Sequence, residues 1–205
     1  MMKLAQSYDS GTSIFKSDHS SAYRWYLKAA DGGDPQAQYK VGEMLVLGDG
    51  VAENAPLACS YFLKSAENNN PQAQFMVAEM YRIGKGVEKD GKKANQWYKR
   101  GAELGNSDCQ FAWSKRLEKG DGMFFSDKKA AFEWLYKAAS SGHGEACYLI
   151  GCQYYNGSDN LKSSIIKAYK MFKRAKDAGF MNKDLQHKLN VCEKIIMEKA
   201  AALGL

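Results

Sequence analysis

One short pattern returns every thirty-six or thirty-seven residues, and nothing else in the chain narrows the fold so far. Ala37-Gln38-Tyr39 recurs as Ala73-Gln74-Phe75, as Cys109-Gln110-Phe111 and as Ala146-Cys147-Tyr148. A fixed period of this length marks stacked supersecondary units that cannot bury an apolar face alone. Counted from the triplet, the units run 37–72, 73–108, 109–145 and 146–182. Leu4-Ala5 and Tyr8 fall where Val41-Gly42 and Leu45 fall, so residues 1–36 are a fifth unit lacking its first position. No linker interrupts the period, and residues 1–205 read as a single domain.

Each unit carries two helical segments with their own punctuation. The first starts after Asp34, Asn70, Asn106 or His143. Oxygen side chains suit that place because they accept the unpaired amides of a helix start, and His143 is the weak member. Pro35 and Pro71 follow at the first helical position, where a missing N–H costs nothing. The segment stops at Gly11, Gly48, Gly84, Gly120 or Gly157, where glycine permits a left-handed cap. Gly50, Gly86 and Gly122 repeat the glycine two residues on.

The second segment is capped by Asp18, Asn54, Asp90, Asp127 or Ser164. Four residues later stand Ala22, Ala58, Ala94, Ala131 and Ala168; three further on, Trp25, Tyr61, Trp97, Trp134 and Met171. Ala29, Ser65, Gly101, Ala138 and Ala175 follow four residues later, so all three sets share one helical face. Gly33, Asn69, Gly105, Gly142 and Gly179, types that accept positive φ, end the segment. The expected fold is all-α, a right-handed α-solenoid of five helical hairpins. A capping helix over 183–203 would close the last hairpin with Leu185, Leu189, Cys192, Ile196 and Leu203 on one stripe.

These residues resemble the Sel-1-like repeat family, relatives of the tetratricopeptide repeats. Ala73, Tyr81, Gly84, Gly86, Val87, Asp90, Ala94, Trp97, Tyr98, Ala102 and Gly105 match most of its motif. Asp18, Ala22, Trp25, Tyr26, Lys28, Ala29, Ala30 and Gly33 match its second half. The resemblance spans about residues 2–182. Trp113, Ser114 and Met171 depart from it and imply altered packing in the last two units. It implies binding without bond chemistry: members act as scaffolds and adaptors, many in bacterial secretion and host contact, and some neutralise secreted toxins.

The composition excludes several other classes. The 205 residues are 45% hydrophobic and 25% charged, values of a globular chain and not of a disordered one. No run of eighteen apolar residues offers a membrane span. Lys3, Asp9, Lys16, Asp18 and Arg24 punctuate the first thirty residues, so no secretory signal is visible. The net charge of +6 is too mild to indicate nucleic acid by itself. Lys167, Lys170 and Arg174 share a helix face without interleaved aromatics, which reads as a solvated surface and not as a nucleic-acid site.

Catalytic or metal-binding constellations do not emerge. His19, His143 and His187 sit in three separate contexts, with no His-Glu-x-x-His spacing. Cys59, Cys109, Cys147, Cys152 and Cys192 include no Cys-x-x-Cys pair, and Cys152 lies about 140° around a helix from Cys147. They read as reduced, mostly buried thiols and fit a cytoplasmic protein. A removed N-terminal signal would instead place the chain in the periplasm or outside the cell. The glycine pairs lack the lysine of a phosphate loop and follow a helix, not a strand.

The functional expectation rests on the first helices. With positions one, five and nine of each turned to the core, positions three, seven and ten point elsewhere. These are Tyr39, Glu43 and Val46; Phe75, Glu79 and Arg82; Phe111, Lys115 and Glu118; and Tyr148, Cys152 and Tyr155. An aromatic stands at position three every time. It either anchors a partner in a concave groove or packs between neighbouring helices. Charge along this wall shifts from acidic at Glu43 and Glu79 to mixed at Arg82, Lys115 and Glu118, favouring a partner with a basic segment. The expectation is a non-enzymatic protein that is monomeric when free. It takes a protein or peptide partner and needs no cofactor and no metal. It would serve as an adaptor or scaffold, or as a dedicated inhibitor or immunity protein against a secreted toxin enzyme.

Overall fold

In the computed structural model, residues 1–10, 17–121 and 125–202 are described. They contain the helices α1 (Met2–Ser10), α2 (His19–Asp31), α3 (Pro35–Leu47), α4 (Ala55–Glu67), α5 (Pro71–Ile83) and α6 (Gly91–Glu103). These continue as α7 (Ser107–Lys119), α8 (Lys128–Ser140), α9 (Gly144–Asn156), α10 (Ile165–Asp177) and α11 (Leu185–Ala202). No strand occurs among the described residues. None of the described helices is long and apolar enough to cross a membrane. The chain has the helical-hairpin solenoid fold, with the C-terminal helix added after the fifth hairpin. The caps Gly11 and Gly122 and the stripe residue Leu203 lie outside the described residues.

Cap chemistry sets the helix boundaries. Asp34 Oδ1 accepts the Ala37 amide at 2.9 Å, and Asn106 Oδ1 accepts the Cys109 amide at 2.8 Å. Even the weak member works: His143 Nδ1 accepts the Ala146 amide at 3.2 Å. Caps of this kind stabilise a helix by about 1 kcal/mol each. The second-helix caps do a further job. The backbone N–H of Asp18, Asn54, Asp90, Asp127 and Ser164 donates to the carbonyl of Tyr8, Leu45, Tyr81, Leu117 and Tyr154, at 2.7 to 2.9 Å. That bond satisfies a carbonyl which a helix end otherwise leaves unpaired, and it closes each hairpin whatever the loop length.

The chain packs as two compact units, Met1–Leu104 and Gly105–Leu205. In the first, α1 to α6 stack in order around Ala22, Tyr26, Val41, Leu45, Phe62 and Val77. In the second, α7 to α11 do so around Ala146, Ile150, Phe172, Leu185 and Leu189. A large ring on the second helix lies against a small residue on the first. A Cβ on Gly42 would sit 2.6 Å from the Phe62 ring, and one on Gly151 would sit 2.6 Å from the Phe172 ring. The deepest large side chains are therefore Tyr26, Phe62, Tyr98 and Phe172. Each is one residue beyond the expected core position, where Trp25, Trp97 and Met171 are only half-buried. Lys28, Arg100 and Lys137 place their cations over Trp25, Trp97 and Trp134 at 4.5, 5.4 and 3.9 Å.

Hairpin is tied to hairpin by buried polar groups and by glycine. Gln38 Nε2 donates to the Ala30 carbonyl and Gln74 Nε2 to the Ala66 carbonyl, at 3.3 and 3.0 Å. Cys147 Sγ does the same toward Ala139 at 3.2 Å. The second glycines Gly50 and Gly86 touch the preceding hairpin. A Cβ on Gly50 would lie 2.4 Å from the His19 backbone, and one on Gly86 would lie 2.4 Å from the Ala55 carbonyl oxygen. Gly157 departs from the expected left-handed cap. Its φ of 80° comes with ψ of 158°, and the connection that follows is bonded Ser158 to Leu161 in both directions.

The glycines allow two costs to be separated. Gly33 has φ +87° with open space around a Cβ, so Gly33→Ala is expected to cost about 1–2 kcal/mol of backbone strain. Gly86→Ala adds a backbone collision to similar strain and is expected to cost at least about 2 kcal/mol more than Gly33→Ala. Urea midpoints of the two variants check the order.

Candidate functional site

The first-helix faces differ between the two units, and each is built up from its aromatic base. On α3, Tyr39 is half-buried with its ring 5.6 Å from that of Phe62. Glu43 lies beyond it, 2.8 Å from Lys40 Nζ, and Val46 is half-buried. On α5, Phe75 leans on Tyr98 at 6.1 Å. Glu79 is held on two sides. The buried Tyr98 hydroxyl donates to it, and Arg82 makes a forked contact with Nη2 to Oε2 at 2.6 Å. Burial, reinforced by the Glu79 carboxylate, pushes the Tyr98 phenol well above its ordinary range. The hydrogen bond to Glu79 keeps Arg82 firmly charged. Of this group, Arg82 reaches furthest into solvent.

The second unit is arranged differently. Phe111 on α7 stacks on the His143 ring with centroids 4.2 Å apart. Lys115 Nζ lies over Phe111 at 5.7 Å and 3.3 Å from Glu118. Lys115 and Glu118 border an opening of about 180 Å³ floored by Ser114, Phe132 and Leu135. Leu135 occupies the place that Phe62 and Tyr98 fill in the first unit, so the departure at Ser114 and the smaller Leu135 go together. On α9, Tyr148 and Tyr155 are covered by the chain itself. The Tyr148 hydroxyl donates to Asp184 Oδ2 at 3.2 Å, and Lys188, paired with Asp184 at 2.9 Å, lies over Tyr155 at 5.3 Å. Burial above all raises the Tyr148 phenol. Cys152, between them, is a half-buried thiol pushed up by burial.

The position-three aromatics thus pack against neighbouring helices in every case. The charges at positions seven and ten rise from that base. Sequence reasoning did not foresee Asp184 and Lys188, whose register is not repeated elsewhere in the chain. It also missed the ring role of His143, although an aromatic residue at a cap position was a signal. The five cysteines are free thiols, all but Cys152 buried.

His143 makes this region sensitive to acid. Burial holds its imidazole below the ordinary value of 6.5, so the folded ring stays neutral where the unfolded one takes a proton. The stability this confers is complete above about pH 6.5 and declines as pH falls through the lower folded value. Protonation also removes the Nδ1 lone pair that caps α9. His143→Asn, with the cap type of Asn70 and Asn106, is expected to flatten the loss of stability below pH 6.5. Urea unfolding at stepped pH measures it.

The Sel1 repeat family model matches residues 1–34, 35–70, 71–106, 107–143 and 144–180. Among solved structures, the chain is similar to a Sel1 repeat protein from Oxalobacter formigenes. The identity is 32% over 92% of this chain and 53% of the other, with a TM-score of 0.81. It is also similar to a protective antigen of uropathogenic Escherichia coli that displays an SLR fold. There the identity is 25% over 100% of this chain and 45% of the other, with a TM-score of 0.74. The chain therefore spans about half the length of each. An immunity protein from Pseudomonas aeruginosa shares the fold at 17% identity, over 96% of this chain and 78% of that one, with a TM-score of 0.60. Curated protein sequences provide no match.

Proposed function

The chain belongs to the Sel1 repeat family, and on that premise we propose that it is a non-enzymatic protein that holds a partner protein or peptide on its first-helix faces. Sel1-repeat proteins are generally protein-interaction modules. The observation that carries the reading here is a set of solvent-reaching charges fixed over an aromatic base: Glu43 and Arg82 in one unit, Lys115 and Glu118 in the other. Each is already oriented by an ion pair, which lowers the ordering cost of binding. Tyr39, Phe75 and Phe111 support these charges from below. Tyr148 and Tyr155, partly covered by Asp184 and Lys188, stand at the margin of this face. Glu79 belongs to the frame as much as to the face, because its removal strips the buried Tyr98 hydroxyl of its acceptor. The acidic Glu43 favours a basic segment in the partner. The adaptor role and the dedicated inhibitor role are two forms of this reading, and the similarity to an immunity protein motivates the second.

A photo-cross-linking residue placed at Glu43 or at Lys115, in the source cell, is expected to capture the same partner from both positions. The same probe at the exposed Lys99 of α6 serves as the control. With that partner purified, Glu43→Gln and Arg82→Gln together are expected to weaken binding at least about tenfold, or about 1.4 kcal/mol, while leaving the fold intact. One stoichiometric toxin enzyme identifies an inhibitor, and several substoichiometric proteins identify an adaptor. Capture indistinguishable from Lys99, or unchanged affinity in the folded variant, overturns the choice of face.

A further inference from the structure

At the junction of the first two hairpins, three side chains from three elements converge on one point. Asp9 lies in the last turn of α1, His19 opens α2, and Asp49 sits in the connection from α3 to α4. One ligand atom from each lies within 4.8 Å of the other two. His19 Nδ1 is 3.1 Å from Asp49 Oδ2 and 3.7 Å from Asp9 Oδ1. Bonds of 2.0–2.2 Å in a tetrahedral site place ligand atoms about 3.3 Å apart, so the group needs only a small contraction.

The surroundings decide which nitrogen faces the carboxylates. The Ser17 hydroxyl spends its proton on the Asp9 carbonyl at 3.0 Å. Its oxygen is then an acceptor for His19 Nε2–H, 3.1 Å away. Nδ1 then faces two carboxylate oxygens, a place that is satisfied either by a proton on the ring or by a cation held between the three groups. Asp9 is aimed as well, since the buried Tyr26 hydroxyl donates to its other oxygen, Oδ2, at 3.2 Å. Partners of this kind orient metal ligands. Asp49 is positioned by its amide, bonded to the Met44 carbonyl at 3.0 Å, and by Gly50, whose backbone rests on His19.

Packing does not require these residues. One repeat further on, the same positions hold Val46, Ala55 and Lys85. There the gap is spanned by an ion pair, Lys85 Nζ to Glu53 Oε1 at 3.4 Å. The first junction has two acids and an imidazole where the second has a cation and an anion. We propose that Asp9, His19 and Asp49 bind a divalent transition-metal ion that ties the first hairpin to the loop of the second. The imidazole nitrogen favours Zn²⁺, Ni²⁺ or Cu²⁺ over Mg²⁺ or Ca²⁺. All three side chains are partly open to solvent, which supplies the entry path and room for a water ligand.

The test is calorimetric titration of the full chain, free of any affinity tag, with zinc chloride at pH 7.5. One ion per chain is expected. Asp49→Asn and His19→Ala are each expected to weaken binding at least about tenfold, with circular dichroism confirming the fold. Asp49→Asn changes a half-buried loop residue by one atom and keeps the test valid if His19→Ala does not fold. His187→Ala and Cys152→Ala are expected to leave binding unchanged. Nitrogen-15 spectra of the His19 ring are expected to show Nε2 protonated and Nδ1 shifted by the metal. No one-to-one event, or binding unaffected by both Asp49→Asn and His19→Ala, overturns the proposal. So does a His19 ring doubly protonated at saturating zinc, since a proton would then fill the place assigned to the ion.

Discussion

Every hairpin of this chain is closed by one backbone bond, from the amide of the second-helix cap to a carbonyl near the end of the first helix. The bond recurs at Asp18, Asn54, Asp90, Asp127 and Ser164. It fixes where the second helix begins relative to the first, and so which side chains of the two can meet. Once that distance is set, a ring such as Phe62 or Phe172 can lie on a residue with no side chain. The glycine loops then come close enough to rest on the preceding hairpin. Loop length can change by a residue because the bond, not the loop path, sets the geometry.

That arrangement also limits what the first-helix faces can offer. Their aromatics are spent on holding helices together: Tyr39 on Phe62, Phe75 on Tyr98, Phe111 on His143 and Tyr148 on Phe180. What reaches solvent is charge, pre-paired and therefore oriented. Recognition built this way leans on electrostatic complementarity for partner choice, with the rings supplying rigidity more than contact area. The exception is α9, where the chain supplies its own covering residues in Asp184 and Lys188. The C-terminal helix thus does more than shield an apolar end.

The fold was legible because it is local and repeated. Caps, glycines and small residues act within one or two turns, and five copies average out the exceptions. Ser164 and His143 cap helices although neither unit follows the motif closely. The register of the deepest rings was less legible. Trp25 and Tyr26 are adjacent and both aromatic, yet Tyr26 is the one packed in the core while Lys28 lies over Trp25. A pattern of periods three, four and seven does not separate neighbours of that kind.

By itself, the sequence determined the number of hairpins, the helix boundaries and the family, because capping and φ preferences are properties of single residues read every thirty-six positions. Only the tertiary structure decided what the odd residues do. Asp9, His19 and Asp49 are forty residues apart at their extremes and meet because Gly50 lets one loop touch the preceding helix start. Asp184 meets Tyr148 across thirty-six residues, with no earlier repeat to announce it. Such contacts depend on how hairpins stack, a sum of many small packing choices that no single position encodes.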